Sequence, residues 1–403
     1  MRTVVERTGN SSPTARVGSV LAGNRVTTFE LFFDLVYVFV LTKVTSAMAH
    51  EHDAVSVLRG LLLLALVWFS WSAYAWLGNQ ARADPGVVRA GMSLAMAGMF
   101  VVALAVPEAW HDAPDGLSGP VVLAAAYLSV RCVHLVLYSV LARGDQDLLR
   151  QVAISWGPVL AGAGLLVTGA LIGGEVQTVF VAVAILVDWG GVYVTSRRGN
   201  WRIHDAGWFA ERHELFMIIA IGESLLAMGA GAAEQSVTGP LLVAAVLGVA
   251  VALGLWWLYF DVAALHGEHR LRGAEDSERL GLAIRAYGYA HFPIVAGVVL
   301  TALGVEGVVA HAADGEALGG FYAAALCGGP ALYLTGLVLF GRILHRSWSP
   351  VRLGALVPLL GWAPAAAALP PVAGLAGVAF LLAAVASAET RHYAELRRNL
   401  RPI

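Results

Sequence analysis

Tyr127, Arg131, His134 and Tyr138 are spaced i, i+4, i+7 and i+11 inside an otherwise apolar stretch. That spacing puts all four on one face of a helix. Arginine keeps its charge and offers five N–H donors, so Arg131 needs carboxylates or carbonyls around it. Glu30, Asp34, Tyr37 and Leu41 repeat the same spacing in an earlier apolar stretch. Lys43 lies about 180° around that helix from Asp34, at roughly 100° per residue, so the two are not expected to pair. The acids available to Arg131 are Asp34, Asp188, Glu214, Glu223 and Asp261. His291 stands one turn from Tyr287 and two residues before Pro293, a residue that can kink a helix. An ionised side chain at the centre of a bilayer costs about 2.5–3.5 kcal/mol, so such groups face protein or water.

The expectation is a buried network between the two halves of the chain. It comprises Glu30, Asp34, Tyr37, Arg131, His134, Asp188, Glu214, Glu223 and His291, with Arg131 as its main cation. Glu223 and His291 are its proton-carrier candidates. Two chemistries fit: a hydrated path or binding site for an ion, proton or small solute, or a set of fasteners between helices. Glu30 also reads as a helix-start charge favoured by the N-terminal dipole, and Asp261 as an interfacial residue.

Other chemistries find little support. Gly222-Glu223-Ser224 lacks the base and oxyanion site that a serine nucleophile needs. The chain has no Gly-x-Ser-x-Gly, His-Glu-x-x-His or Walker-type phosphate loop. An enzyme is therefore not expected, and neither is a cofactor. His50, Glu51, His52 and Asp53 carry metal-ligand chemistry, but neighbours in sequence rarely converge on one ion, and the cluster reads as a solvated loop without a metal. Cys132 and Cys327 sit in apolar runs and read as packing residues.

The elements that must hold these groups follow from composition. Of 403 residues, 58% are hydrophobic and 13% charged, and mean hydropathy is +0.70. A soluble domain carries about 25% charged residues, so this is an integral membrane protein whose first partner is the lipid bilayer. A net charge of −2 gives no basic field for nucleic acid. The apolar runs are continuous, without the period of two that a β-barrel requires. A crossing helix needs about 20 apolar residues. Twelve runs qualify, near 29–48, 57–77, 88–106, 119–141, 152–172, 176–195, 213–231, 240–262, 281–303, 320–341, 352–369 and 371–388. The fold class is all-α, with about twelve transmembrane helices.

Basic residues set the orientation. With the N-terminus inside, all of the 26 basic residues except Lys43, Arg59 and Arg131 fall on the cytoplasmic side, as short-loop charge bias requires. That count places Arg212 and Arg352 in cytoplasmic segments. No removable signal peptide is recognised in the polar N-terminal tail. The Asn10-Ser11-Ser12 sequon would lie in the cytoplasm, where it carries no meaning. The expected location is the bacterial cytoplasmic membrane, multi-pass, with both termini cytoplasmic.

The chain repeats itself. Thr28-Phe29-Glu30-Leu31-Phe32-Phe33 opens the first span, and Phe209-Ala210-Glu211-Arg212-His213-Glu214-Leu215-Phe216 opens the seventh. Trp68, Trp71, Tyr74 and Trp76 close the second span, as Trp256, Trp257, Tyr259 and Phe260 close the eighth. Two parallel six-helix repeats follow, related by a pseudo-two-fold axis along the membrane normal. The expected organisation is a cytoplasmic polar tail (1–28), a first repeat (29–195), a cytoplasmic linker (196–212), a second repeat (213–388) and a cytoplasmic basic tail (389–403).

Four stretches together carry a family resemblance. They are Glu30 to Phe39, Phe209 to Ser224, Tyr127-Leu128-Ser129-Val130-Arg131-Cys132-Val133-His134 and Tyr289-Ala290-His291-Phe292-Pro293-Ile294-Val295-Ala296-Gly297. The chain resembles the bacterial low-temperature-requirement A family over roughly residues 25–390. The resemblance implies an integral membrane protein and assigns no catalytic residues. The leading expectation for function is a secondary transporter or channel for a small solute or ion. The alternative is a non-transporting membrane protein that supports envelope stress or cold adaptation.

Overall fold

The computed structural model describes residues 25–80, 86–114, 116–196, 201–233 and 235–394. Twelve helices among them are long and apolar enough to cross a membrane: α1 (Thr28–Glu51), α2 (Ala54–Gln80), α3 (Gly86–Glu108), α4 (Gly119–Leu141), α5 (Gln146–Ile172), α6 (Gly174–Ser196), α7 (Ala206–Ala232), α8 (Gly239–Gly273), α9 (Asp276–Ala310), α10 (Gly320–His345), α11 (Pro350–Ala368) and α12 (Pro371–His392). No strand occurs among the described residues. With no water in the hydrocarbon to satisfy backbone groups, each segment closes its own hydrogen bonds as a helix.

Local signals set the helix ends. Thr27 and Glu30 form a reciprocal capping box at the start of α1, with Glu30 Oε2 accepting from the Thr27 N–H at 2.8 Å. Asp145, Asp205, Thr238 and Ser349 accept from the first turns of α5, α7, α8 and α11. Gly173 and Gly174, both at positive φ, turn the chain from α5 into α6. Pro371 opens α12 after only Leu369 and Pro370 separate it from α11. The sequon at Asn10, most of the N-terminal tail, Arg197, Arg198 and the basic residues after position 394 lie outside the described residues.

Several boundaries differ from the hydropathy reading. Helix α7 begins at Ala206, so the linker expected over 196–212 is partly helix. Asp205 caps it, accepting from the Trp208 N–H at 3.0 Å. Helices α8 and α9 run well past their apolar cores, because charged Arg, Glu and His residues continue a helix that has left the oil. Glu389, placed in the basic tail, belongs to α12 and is buried.

The tightest packing joins α9 and α10. A Cβ on Gly297 or Gly304 would strike the backbone of Tyr333 or Leu326, and one on Gly329 or Gly336 would strike Thr301 or Ile294. Small residues at this spacing let two membrane helices approach backbone to backbone. Both α8 and α9 carry a π-helical segment, Tyr259–Ala263 and Ala283–Ala290. Such segments are rare and free carbonyls for other partners.

Candidate functional site

The stripe on α4 is buried along its length. Arg131 Nη2 donates to Asp188 Oδ1 of α6 at 3.1 Å, and its guanidinium lies over the Phe69 ring of α2 at 4.7 Å. Its Nε and Nη1 have no hydrogen-bond partner in the protein. His134 Nε2 donates to the Ala73 carbonyl at 3.0 Å, which leaves Nδ1 as the unpartnered nitrogen. Tyr138 donates to the Trp76 carbonyl, whereas the Tyr127 hydroxyl is buried without a partner. Beside this stripe is a cavity of about 90 Å³, lined by α2, α4, α5, α6, α9 and Trp201. Arg131, at the middle of α4, marks its deep end. Trp76, Tyr138 and Ser196, near the ends of α2, α4 and α6, mark the other.

A second centre ties the halves together. Asp34 of α1 receives both terminal nitrogens of Arg212 from α7, each at 2.9 Å, and the Trp71 indole N–H at 2.8 Å. All of these groups are fully buried. Tyr37 pairs with Ser70 at 3.1 Å. Around them is an aromatic box: the rings of Trp68, Trp71 and Tyr287 approach His213 or His291, and Phe216 packs against Trp68 and Trp71. His291 Nδ1 donates to the Ala286 carbonyl, and its Nε2 accepts from the Tyr259 hydroxyl at 2.8 Å. Both partners lie in the π segments, as does Gly288, whose carbonyl accepts from Trp68. The irregular turns thus hold His291 from two sides. Both ring nitrogens of His291 are engaged within the protein. His213 Nδ1 is held by the Phe209 carbonyl, and its Nε2 has no partner.

Glu223, also on α7, is wholly buried, and neither carboxyl oxygen has a hydrogen-bond partner by geometry. Thr42 and Thr45 of α1 lie beside it, but their hydroxyls donate to the Val38 and Leu41 carbonyls at 3.2 and 3.1 Å. Glu214 is half-buried near Glu211, Glu268 and Arg272. In the second half, Arg352 of α11 is fully coordinated. Its Nε and Nη2 grip both oxygens of Glu389 at 2.6 and 2.9 Å, and Nη1 and Nη2 reach the Leu337 and Leu258 carbonyls.

The structure therefore sorts the expected network into separate pairs. Arg131 meets Asp188 within the first half of the chain, not an acid from the second half. Asp34 meets Arg212, and Glu30 serves its own helix end. The reading of Arg212 and Arg352 as loop charges is corrected: both are buried, 1% and 6% exposed. Sequence signals for them existed. Asp205 three residues before Trp208, and Ser349 followed by Pro350, are helix-start patterns that place both arginines inside a helix. Asp261 is 7% exposed and buried in a π segment.

The loop cluster at His50–Asp53 is exposed. Among the described residues no group of three His, Cys, Asp or Glu side chains is placed to hold a metal. Asp53 Oδ1 accepts from the Ser56 N–H at 2.6 Å, which holds its carboxyl below the usual carboxylate range. Cys132 and Cys327 are free thiols.

These features define a multi-pass, all-α membrane protein with ion pairs buried between its helices. The chain belongs to the family of bacterial low temperature requirement A proteins, whose profile matches residues 25–387. It is 28% identical over 330 residues to an uncharacterized protein of Rhizobium meliloti (strain 1021), covering 79% of this chain and 77% of that one. No solved structure matches the chain.

Proposed function

We propose that this protein is a secondary transporter or channel for a small solute or ion. The observation that carries the reading is Arg131, a permanent charge at mid-span with two of its three nitrogens unpartnered, beside a cavity large enough for small molecules. An arginine serving architecture alone is coordinated as Arg352 is, because unmet buried donors are costly. Glu223, a buried carboxyl without a partner, supports the reading as a group able to take and release a proton. Two parallel repeats would supply the arrangement, with the solute handled between α2, α4, α5 and α6 of the first and α9 of the second, and the α1–α7 contact through Asp34 and Arg212 as a joint between them. The basic faces of the loops favour the bacterial cytoplasmic membrane, with the start of α1 and the end of α12 on the cytoplasmic side.

The test is flux into proteoliposomes with a panel of ions and small solutes, with and without a pH gradient. The expected result is flux above protein-free vesicles, lost in Arg131→Gln and altered in its pH response in Glu223→Gln. Folded protein that moves nothing on the panel, or an Arg131→Gln variant with normal flux, overturns the reading. The first of these outcomes would leave a non-transporting role in envelope adaptation.

A further inference from the structure

We propose that the cavity beside Arg131 is a binding site for a small monovalent oxyanion, such as a short carboxylate. This inference rests on the transport reading above and names the class of solute.

The polar groups around the cavity are unbalanced between donors and acceptors. Its wall includes Arg131, His134, Trp189 and Trp201. Arg131 Nε, Arg131 Nη1, Trp189 Nε1 and Trp201 Nε1 are buried nitrogens with no partner in the protein. The tryptophan nitrogens only donate, and so do those of a guanidinium. The backbone acceptors nearby are already used. Ala73, Trp76 and Trp189 offer carbonyls, taken by His134, Tyr138 and Tyr289. Ser155, another wall residue, donates its hydroxyl to its own helix at the Gln151 carbonyl. The side-chain nitrogens left over are donors on three residues, contributed by α4, α6 and the segment before α7. His134 Nδ1 is the exception: it is the lone-pair nitrogen of the neutral ring, and an O–H of water or ligand completes it. A cation would find repulsion here, and a neutral polar solute would leave most of the donors unmet. An anion with several acceptor oxygens satisfies them together.

Charge and size narrow the class. Arg131 and Asp188 already form a neutral pair, so each charge on the ligand is a further charge within the span. A monovalent anion brings one, and a divalent anion twice the burden. At about 30 Å³ per water-sized group, a cavity of about 90 Å³ holds roughly three such groups. That suits a carboxylate with a short chain. The aromatic rings of Phe69, Trp76 and Trp189 in the wall suit the apolar part of such an acid.

The experiment is thermal unfolding of the purified protein in nanodiscs with sodium formate or sodium acetate, ionic strength held constant with sodium chloride. A ligand that binds only the folded state raises the midpoint with the logarithm of its concentration. The wild type is expected to respond to both anions, and Arg131→Gln to neither. Trp189→Phe and Trp201→Phe keep the ring but remove one N–H, and each is expected to need about tenfold more anion for the same shift. These two variants carry the test if Arg131→Gln fails to fold. A wild type that ignores both anions overturns the proposal, as does an equal response in the arginine variant or in both tryptophan variants. Flux of a cation without anion binding overturns this inference alone. Anion binding without flux leaves this site standing and overturns the transport reading.

Discussion

Arg131 and Arg352 are both buried arginines on membrane helices, and both face a carboxylate, yet their surroundings differ. Arg352 uses all three nitrogens, on both oxygens of Glu389 and on two carbonyls. Arg131 uses one nitrogen on one oxygen. The first is closed, with its hydrogen-bonding capacity spent inside the protein. The second keeps its capacity beside a cavity. A buried ion pair is weak evidence for either stability or function. The unmet donors are what separate the two. Arg212 falls between them, bidentate on Asp34 with only Nε unpartnered, as suits a group that fastens α1 to α7.

The largest effect that could break this contrast is at Arg352. Arg352→Met strands Glu389 in the interior and is expected to cost about 3–5 kcal/mol. The readout is the amount of monodisperse protein extracted from membranes, which should fall sharply. The joining pair should behave alike: Asp34→Leu and Arg212→Met are each expected to be more damaging singly than together, a sign of coupling that a double-mutant cycle on unfolding midpoints would measure. A smaller loss, about 1–3 kcal/mol from overpacking, is expected for Gly304→Ala, where the new Cβ meets the Leu326 backbone. The sharpest discrimination comes from a neutral pair. Arg131→Gln with Asp188→Asn should cost only about 1 kcal/mol, since one charge-assisted bond is exchanged for a neutral one, yet flux in proteoliposomes should disappear. Retained flux in that folded double variant would erase the distinction between the two arginines.

The smallest expected effect lies outside the membrane. The Asp53 carboxyl is held below its ordinary value by the Ser56 N–H. A depressed folded pKa means that its contribution is present above about pH 4 and is lost as pH falls through the lower folded value. Asp53→Asn should remove that acid-side loss from a titration of the stability of the start of α2, leaving the interior pairs unchanged.

Much of the site was legible in the chain. The stripe from Tyr127 to Tyr138 is a periodicity, and Asp188 is a lone acid in an apolar run. Each stands out because it violates its own neighbourhood. Arg212 and Arg352 were hidden for the opposite reason. They lie at the margins of apolar runs, where hydropathy falls and an arginine looks at home in a loop. Only their helix caps distinguish them. His213 was hidden in the same flank, and the roles of the π segments were not readable, since their registers depend on how Tyr259 and His291 meet.

The sequence by itself determined how many times the chain crosses the bilayer, where the helices lie and which stretches tie it to its family. The transfer of side chains between water and oil is summed along a segment and needs no knowledge of its neighbours. Only the tertiary structure decided which carboxylate each arginine meets, which donors are left unpaired and that a cavity lies beside them. Those outcomes depend on the rotation and approach of helices far apart in the chain, and hydrogen bonds are settled within a few tenths of an ångström that no local pattern specifies.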